Sequence, residues 1–184
     1  NTMYAAGMDV ECAKGECNFG QHEIGFLYDD VVATADNHSV YKTAAKEIAA
    51  QLLGQDPWDW RALWLSGLAD LQAMRYADAQ ASFNAVYQQV PGELAPKLAL
   101  AVACERGGQP DIAESLYSVC AQTDAAYAAP AAFGIARIRA QRADTRGAVA
   151  ALDLVPSTSR GFGESRRLRA EVLLASAGGS LATL

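Results

Sequence analysis

The chain has 184 residues, is 51% hydrophobic but only 8% aromatic, and takes its apolar share mainly from alanine, the best helix former; that length suits one elongated domain. No apolar run approaches the roughly 18 to 20 residues of a membrane span and no basic start with an apolar core marks a signal peptide, so a cytoplasmic protein is the default expectation. The net charge of −6, and arginines without interleaved aromatics, argue against a nucleic-acid partner.

In chain order, residues 1–22 fit no repeat and are expected to be an irregular leader. An opening Asn1 reads as a processed chain or a fragment of something longer. The leader and its neighbourhood hold unusual chemistry: Cys12, Cys17, His22 and His38 all lie within the first 38 residues. Two thiolates and two imidazoles can make a tetrahedral zinc site, although this spacing fits no strong pattern. A Cys12–Cys17 disulfide across Ala13-Lys14-Gly15-Glu16 is geometrically possible, but a cytoplasmic setting disfavours it, so two free thiols are the expected state.

Residues 23–36 read as a first helix, and Asp36-Asn37-His38-Ser39 as the turn and N-cap of a second that runs to Leu53. Gly54-Gln55-Asp56-Pro57 stops it. Residues 58–73 and 77–89 form the best-defined hairpin, closed by Pro91-Gly92. Residues 93–105 and 110–122 form the next, with Gly107-Gly108-Gln109 as turn and Pro110 in the first helical turn. Residues 128–142 and 146–154 follow, ending at Val155-Pro156, where the spacing slips by about one residue. Residues 163–175 read as the first helix of a hairpin without a partner, and the chain is expected to fray at Gly178-Gly179. The expected organisation is therefore a leader (1–22), an all-α solenoid of about seven helices (23–176) and a frayed tail (177–184). A terminal helix carrying Leu168, Val172, Leu173 and Leu174 is not a polar cap, so that edge is expected to be covered by more chain, a second copy or another domain.

A 34-residue ruler runs along these hairpins, linking Pro57 to Pro91, Ala45 to Ala79 and Ala113, Phe83 to Tyr117, Val86 to Cys120, and Gly67 to Ala101. Small residues where two helices cross, an aromatic one turn later and a helix-ending proline at this period are the tetratricopeptide (TPR) signature. Tyr76-x-x-Ala79-x-x-x-Phe83-x-x-Val86-x-x-x-x-Pro91 matches its second half closely, whereas Leu63 and Asp70 depart from its first half.

In TPR proteins the first helix of each hairpin lines the partner groove. Carried onto this chain, the groove positions are Arg61, Trp64, Leu68, Leu71 and Gln72, then Ala95, Leu98, Val102, Glu105 and Arg106, then approximately Ala131, Ile135, Ile138 and Arg139. Trp64 and Leu68 stand where a carboxylate clamp needs polar groups. What remains is an apolar groove with scattered arginines, suited to an amphipathic helix or an adjoining domain of the same polypeptide. That Trp64 and Leu68 simply complete the core stays open beside it.

The segments PGELAPKLALA (91–101), AAFGIARIRA (131–140), GAVAAL (147–152) and VPSTSRGF (155–162), with the entry Trp58-Asp59-Trp60-Arg61-x-x-Trp64, resemble the TPR region of the actinobacterial serine/threonine protein kinase G family over about residues 57–176. The resemblance implies a parent in which such repeats follow a redox module and a kinase domain and contribute to self-association, in metabolic signalling that includes control of 2-oxoglutarate and glutamate metabolism. No glycine-rich loop, strand lysine, catalytic-loop aspartate or Asp-Phe-Gly is present, so the chain alone is expected to be non-catalytic and cofactor-free. The leader also lacks the family's Cys-x-x-Cys pairs. Expected partners are a protein or an adjoining domain, with a homodimer as the self-associated form. The alternatives are a stand-alone TPR adaptor and a redox- or metal-responsive module using the leader.

Charge is graded along the chain. Residues 1–40 carry seven acids against Lys14 alone, and residues 137–169 carry eight arginines against three acids. Opposite ends of this kind can associate head to tail or fold the leader back, and a solvated face on each helix is the plainer reading.

Overall fold

A computed structural model describes residues 10–15, 22–27 and 31–181. The first described element corrects the expectation of an irregular leader followed by a helix at 23–36. Strand β1 (Val10–Gly15) pairs antiparallel with β2 (His22–Phe26), in a register running from Val10 opposite Phe26 to Gly15 opposite His22, with an irregularity between Val10 and Cys12. The apolar residues of His22-Glu23-Ile24-Gly25-Phe26 alternate at the period of a strand, and a run this short does not separate strand from helix by pattern alone. Gly25 allows the close approach of the two strands, since a Cβ there would lie 2.8 Å from Cys12 Sγ.

The turn expected at Asp36-Asn37-His38-Ser39 does not form. Residues Val31–Gln55 make one 25-residue helix, α1. Ser39 Oγ donates to the Ala35 carbonyl at 3.1 Å and Thr43 Oγ1 to the Ser39 carbonyl at 3.0 Å. Hydroxyls turned back onto the preceding turn ride on a continuing helix instead of capping a new one.

Beyond Pro57 the expected hairpins are present as seven helices: α2 (Trp60–Gln72), α3 (Tyr76–Gln89), α4 (Leu94–Arg106), α5 (Pro110–Thr123), α6 (Ala125–Gln141), α7 (Thr145–Leu152) and α8 (Phe162–Leu181). Asp59 caps α2 by accepting from the Arg61 and Ala62 amides at 2.9 and 3.3 Å, and Asp124 and Asp144 cap α6 and α7 in the same way. At the far end α8 runs through Gly178-Gly179 to Leu181 where fraying was expected. Glycine costs a helix about 1 kcal/mol per residue, which lowers its stability without ending it.

The repeat explains the packing. Position by position, Ala79, Ala113 and Ala148 are fully buried, as are Phe83, Tyr117 and Leu152, and Val86, Cys120 and Val155 are nearly so. The steps within each series are 34 and then 35 residues, so one residue is inserted between Cys120 and Ala148. The cause is the α5–α6 junction. Four residues separate α3 from α4, whereas Asp124 alone separates α5 from α6, and α6 takes up the extra length as an added first turn. Large rings fill the space left by small residues at the crossings: Phe83 lies against Gly67 and, at 5.3 Å between ring centroids, against Trp64, while Tyr117 lies against Gly134.

The three turns inside the hairpins share one design. Met74 (φ 59°), Gly108 (φ 78°) and Ala143 (φ 59°) occupy the same repeat position in left-handed conformation. The following amides, of Arg75, Gln109 and Asp144, donate to the carbonyls of Asp70, Cys104 and Arg139 at 2.9, 2.8 and 2.9 Å. These are the paired closing bonds of helices that end on a left-handed residue.

Candidate functional site

The face built by the first helices of the hairpins, α2, α4 and α6, is the candidate site. On α2, Arg61, Leu68 and Gln72 are exposed, with the Arg61 guanidinium 5.7 Å from the Trp60 ring centroid. Trp64 is half-buried against the core and Phe83. On α4, Leu98 and Val102 are half-buried against the same core and Arg106 is exposed.

On α6 the expected residues are displaced. Ile135 is only 2% exposed and belongs to the core. Arg139 turns toward α5 and α7, its Nε 2.7 Å from Glu114 Oε1 and its Nη1 donating to the Gly147 carbonyl at 3.2 Å. Ala131 and Ile138 are buried too. The inserted residue moves the register on by one, so the α6 positions on this face are Pro130, Phe133, Arg137, Ala140 and Gln141, all exposed or half-buried. The signal was present in the sequence: a strict 34-residue step from Ala113 and Tyr117 lands on Gly147 and Ala151, while a step of 35 lands on Ala148 and Leu152, the better repeat residues.

In that corrected register Arg137 meets Glu105 of α4. Its Nε and Nη2 donate to the two carboxylate oxygens at 2.8 and 2.9 Å, and Tyr117 Oη donates to Oε2 at 2.7 Å. Burial alone would raise the Glu105 pKa, but the hydrogen bonds from Arg137 and Tyr117 and the charges of Arg137 and Arg106 outweigh it and hold the carboxyl below its ordinary range. Burial, then the hydrogen bond and charge of Glu105, push the Tyr117 phenol well above its ordinary value. The cluster ties three helices together. It offers a partner the outer edge of one guanidinium between apolar neighbours.

The basic C-terminal half is largely neutralised from within. Arg142 bridges Asp111 at 2.6 Å and Glu114 at 3.2 Å, Arg166 and Arg169 reach Asp153 at 2.7 and 3.3 Å, and Arg167 sits between Glu164 and Glu171. With Arg137 and Arg139, six of the eight arginines are paired, leaving Arg146 and Arg160 without an ion pair among the described residues.

Such buried alanines and aromatics at a repeating register, on hairpins closed by one turn type, decide the family, and the profile described as "Protein kinase G tetratricopeptide repeat" matches residues 28–182. The chain belongs to the protein kinase G tetratricopeptide-repeat family. Its relatives include the serine/threonine-protein kinases PknG of Mycobacterium leprae, 43% identical over 115 residues (62% of this chain, 15% of that protein), and of Mycolicibacterium smegmatis, 35% identical over 147 residues (79% and 19%).

The start of this family member, which its motifs tied to no family, has relatives of its own. Residues 1–53 match the profile "Glutamine synthetase, catalytic domain". A gamma-glutamylethanolamide synthetase, GlnA4, of Streptomyces coelicolor is 67% identical over 51 residues, which are 28% of this chain and 11% of that protein. The chain thus spans between 11% and 19% of the length of these three relatives. The two profiles overlap along α1, whose second half keeps the repeat register through Ala45, Ala49 and Leu52.

The remaining predicted ligands fall as follows. Cys12 is an exposed free thiol on β1 and His38 is exposed on α1, while Cys17 and the side chain of His22 lie outside the described residues, and with them the expected zinc site and disulfide. Cys104 and Cys120 are buried, with burial raising both thiol pKa values. No described helix is long and apolar enough to cross a membrane.

Proposed function

We propose that this TPR region is a non-catalytic contact module of a larger, cytoplasmic serine/threonine kinase of the PknG type, acting by self-association and by holding a protein partner or an adjoining domain. The observation that carries this reading is the face of Arg61, Leu68, Gln72, Arg106, Phe133 and Arg137. Exposed Leu68 and half-buried Phe133 lie there among cations on a helical support, which suits an amphipathic helix with acidic flanks. The sequence motifs that phosphoryl transfer needs are missing from residues 1–184. The synthetase-like start supports a setting in glutamine and glutamate metabolism.

Light scattering at roughly micromolar concentration tests self-association, and titration with the catalytic domain of a PknG relative tests the partner role. A mass above one chain, or saturable binding that Leu68→Glu and Arg137→Glu abolish, is expected. A strictly monomeric chain that binds nothing overturns the module reading.

A further inference from the structure

The second helices of the hairpins leave a gap in one place. Between α5 and α7, over α6, lies a cleft of about 180 Å³ whose apolar floor is Ile135 and Ala151, each 2% exposed. Its rim of Gln122, Ala150 and Leu154 is open to solvent. Arg139 is the one charged side chain among the described residues that line it.

Three differences between the middle hairpin and the next one produce this cleft. In repeat register Arg139 stands where α4 has Cys104, Gly147 where α5 has Ile112, and Ala151 where α5 has Leu116. Leu116 packs against the core, so an alanine at the matching position, three carbons smaller, leaves that space unfilled. Gly147 makes room for the arginine, since a Cβ there would lie 2.9 Å from Arg139 Cδ. Exchanges that merely repack a core conserve its volume. Here two large apolar residues become small while a cation enters, and the result is a hollow with a charge in its wall.

That charge is held from behind and only partly answered. Arg139 Nε donates to Glu114 at 2.7 Å and Nη1 to the Gly147 carbonyl at 3.2 Å, whereas Nη2 has no hydrogen bond among the described residues. Glu114 is shared with Arg142 at 3.2 Å, and Arg146, one turn before Ala150, has no ion pair among the described residues. Asp111 and Asp144 are already engaged, by Arg142 and by the Gly147 amide. The side-chain amide of Gln122 likewise has no hydrogen bond among the described residues.

We infer that this cleft is a binding site for a small carboxylic acid with a short, branched apolar tail. Its carboxylate meets Arg139 and Gln122, and its tail lies on Ile135, Ala151 and Leu154. A guanidinium recognises a carboxylate through charge-assisted hydrogen bonds, and the half-buried position of Arg139 strengthens them. The volume lies below the roughly 300 to 1,000 Å³ of sites for drug-sized molecules and cofactors, which excludes nucleotides. None of Arg61, Leu68, Gln72, Arg106, Phe133 and Arg137 takes part, so the site stands apart from the contact face.

The test adds isovalerate to the full chain and follows its isoleucine methyl groups by NMR. A saturable shift of the Ile135 methyls at roughly millimolar concentration is expected, with those of Ile48 on α1 unmoved. Isovaleramide, which has the shape without the charge, and acetate, which lacks the tail, should each bind at least about 10-fold more weakly. Arg139→Gln should weaken the acid about 10-fold and leave the amide unchanged, a split that loss of packing alone would not give. Ala151→Leu, which installs the residue of the middle hairpin, should abolish the shift. Ala150→Leu, at an exposed position, fills the same space if that variant does not fold. An amide that binds as tightly as the acid, or an Ile135 shift that survives Ala150→Leu, overturns the inference. So does the lack of any saturable Ile135 shift up to about 50 mM isovalerate.

Discussion

The middle of the array and its two ends are made from the same residues at the same repeat positions and differ in what surrounds them. Ala113 is sealed between helices, whereas Ala45, two steps earlier on the ruler, is half-open. In a solenoid each repeat contacts only its neighbours, so burial belongs to the neighbourhood and not to the residue. The interior spends its alanines and rings on close crossings. The ends keep the same small residues, where they are available for contact with another helix.

The sharpest way to break this comparison is one substitution at both places. Ala113→Leu adds three carbons to a site with no free volume and is expected to destabilise the chain by about 2 to 3 kcal/mol in urea unfolding. Ala45→Leu, measured in the same experiment, should cost under about 0.5 kcal/mol. Equal losses at both positions would show that α1 is already sealed.

A smaller effect concerns Glu105. Its folded pKa is depressed, so its contribution to stability is present above the unfolded carboxylate value of about 4.3 and is lost as pH falls through the folded value. Glu105→Gln should therefore cost about 1.5 to 2 kcal/mol at neutral pH and little once the parent carboxyl is protonated. Unfolding midpoints of parent and variant followed from pH 7 down through the acid range should converge. A constant gap would remove the ion pair from the account. Among the described residues no paired carboxylate of this kind spans α1 and a neighbouring helix, so the middle of the array should show the steeper acid dependence.

The smallest effect tests the turns. Met74 is 72% exposed, so little packing is lost when it becomes glycine, and relief of its left-handed conformation should raise stability by about 1 kcal/mol in Met74→Gly. Gly108→Ala should lower stability by a similar amount, measured by thermal unfolding. Opposite signs at two equivalent turns establish that the conformation, and not the residue found there, is what repeats.

Much of the fold could be read along the chain from residues such as Ala79, Phe83 and Pro91, because helix ends and crossings depend on spacing within one repeat. Other features could not. Met74 and Ala143 give no local sign of a left-handed conformation, which only Gly108 advertises. The strand His22–Phe26 is too short for its pattern to exclude a helix, and Ser39 can cap a helix or ride on one with equal local chemistry. On α2 and α4 the expected groove positions Arg61, Leu68, Gln72 and Arg106 are exposed and Trp64, Leu98 and Val102 half-buried. The α6 share was misplaced by one residue, since a single insertion at Asp124 rotates every later helical position by about 100°.

By itself the sequence determined the repeat, its family and the helices from α2 onward, because periodic small and aromatic residues encode local contacts directly. Tertiary structure alone decided that Arg137 and not Arg139 joins Glu105, that Ile135 is core, and that Ala45 is left half-open. Those outcomes depend on which helix stands opposite, and that is set by the packing of the whole array.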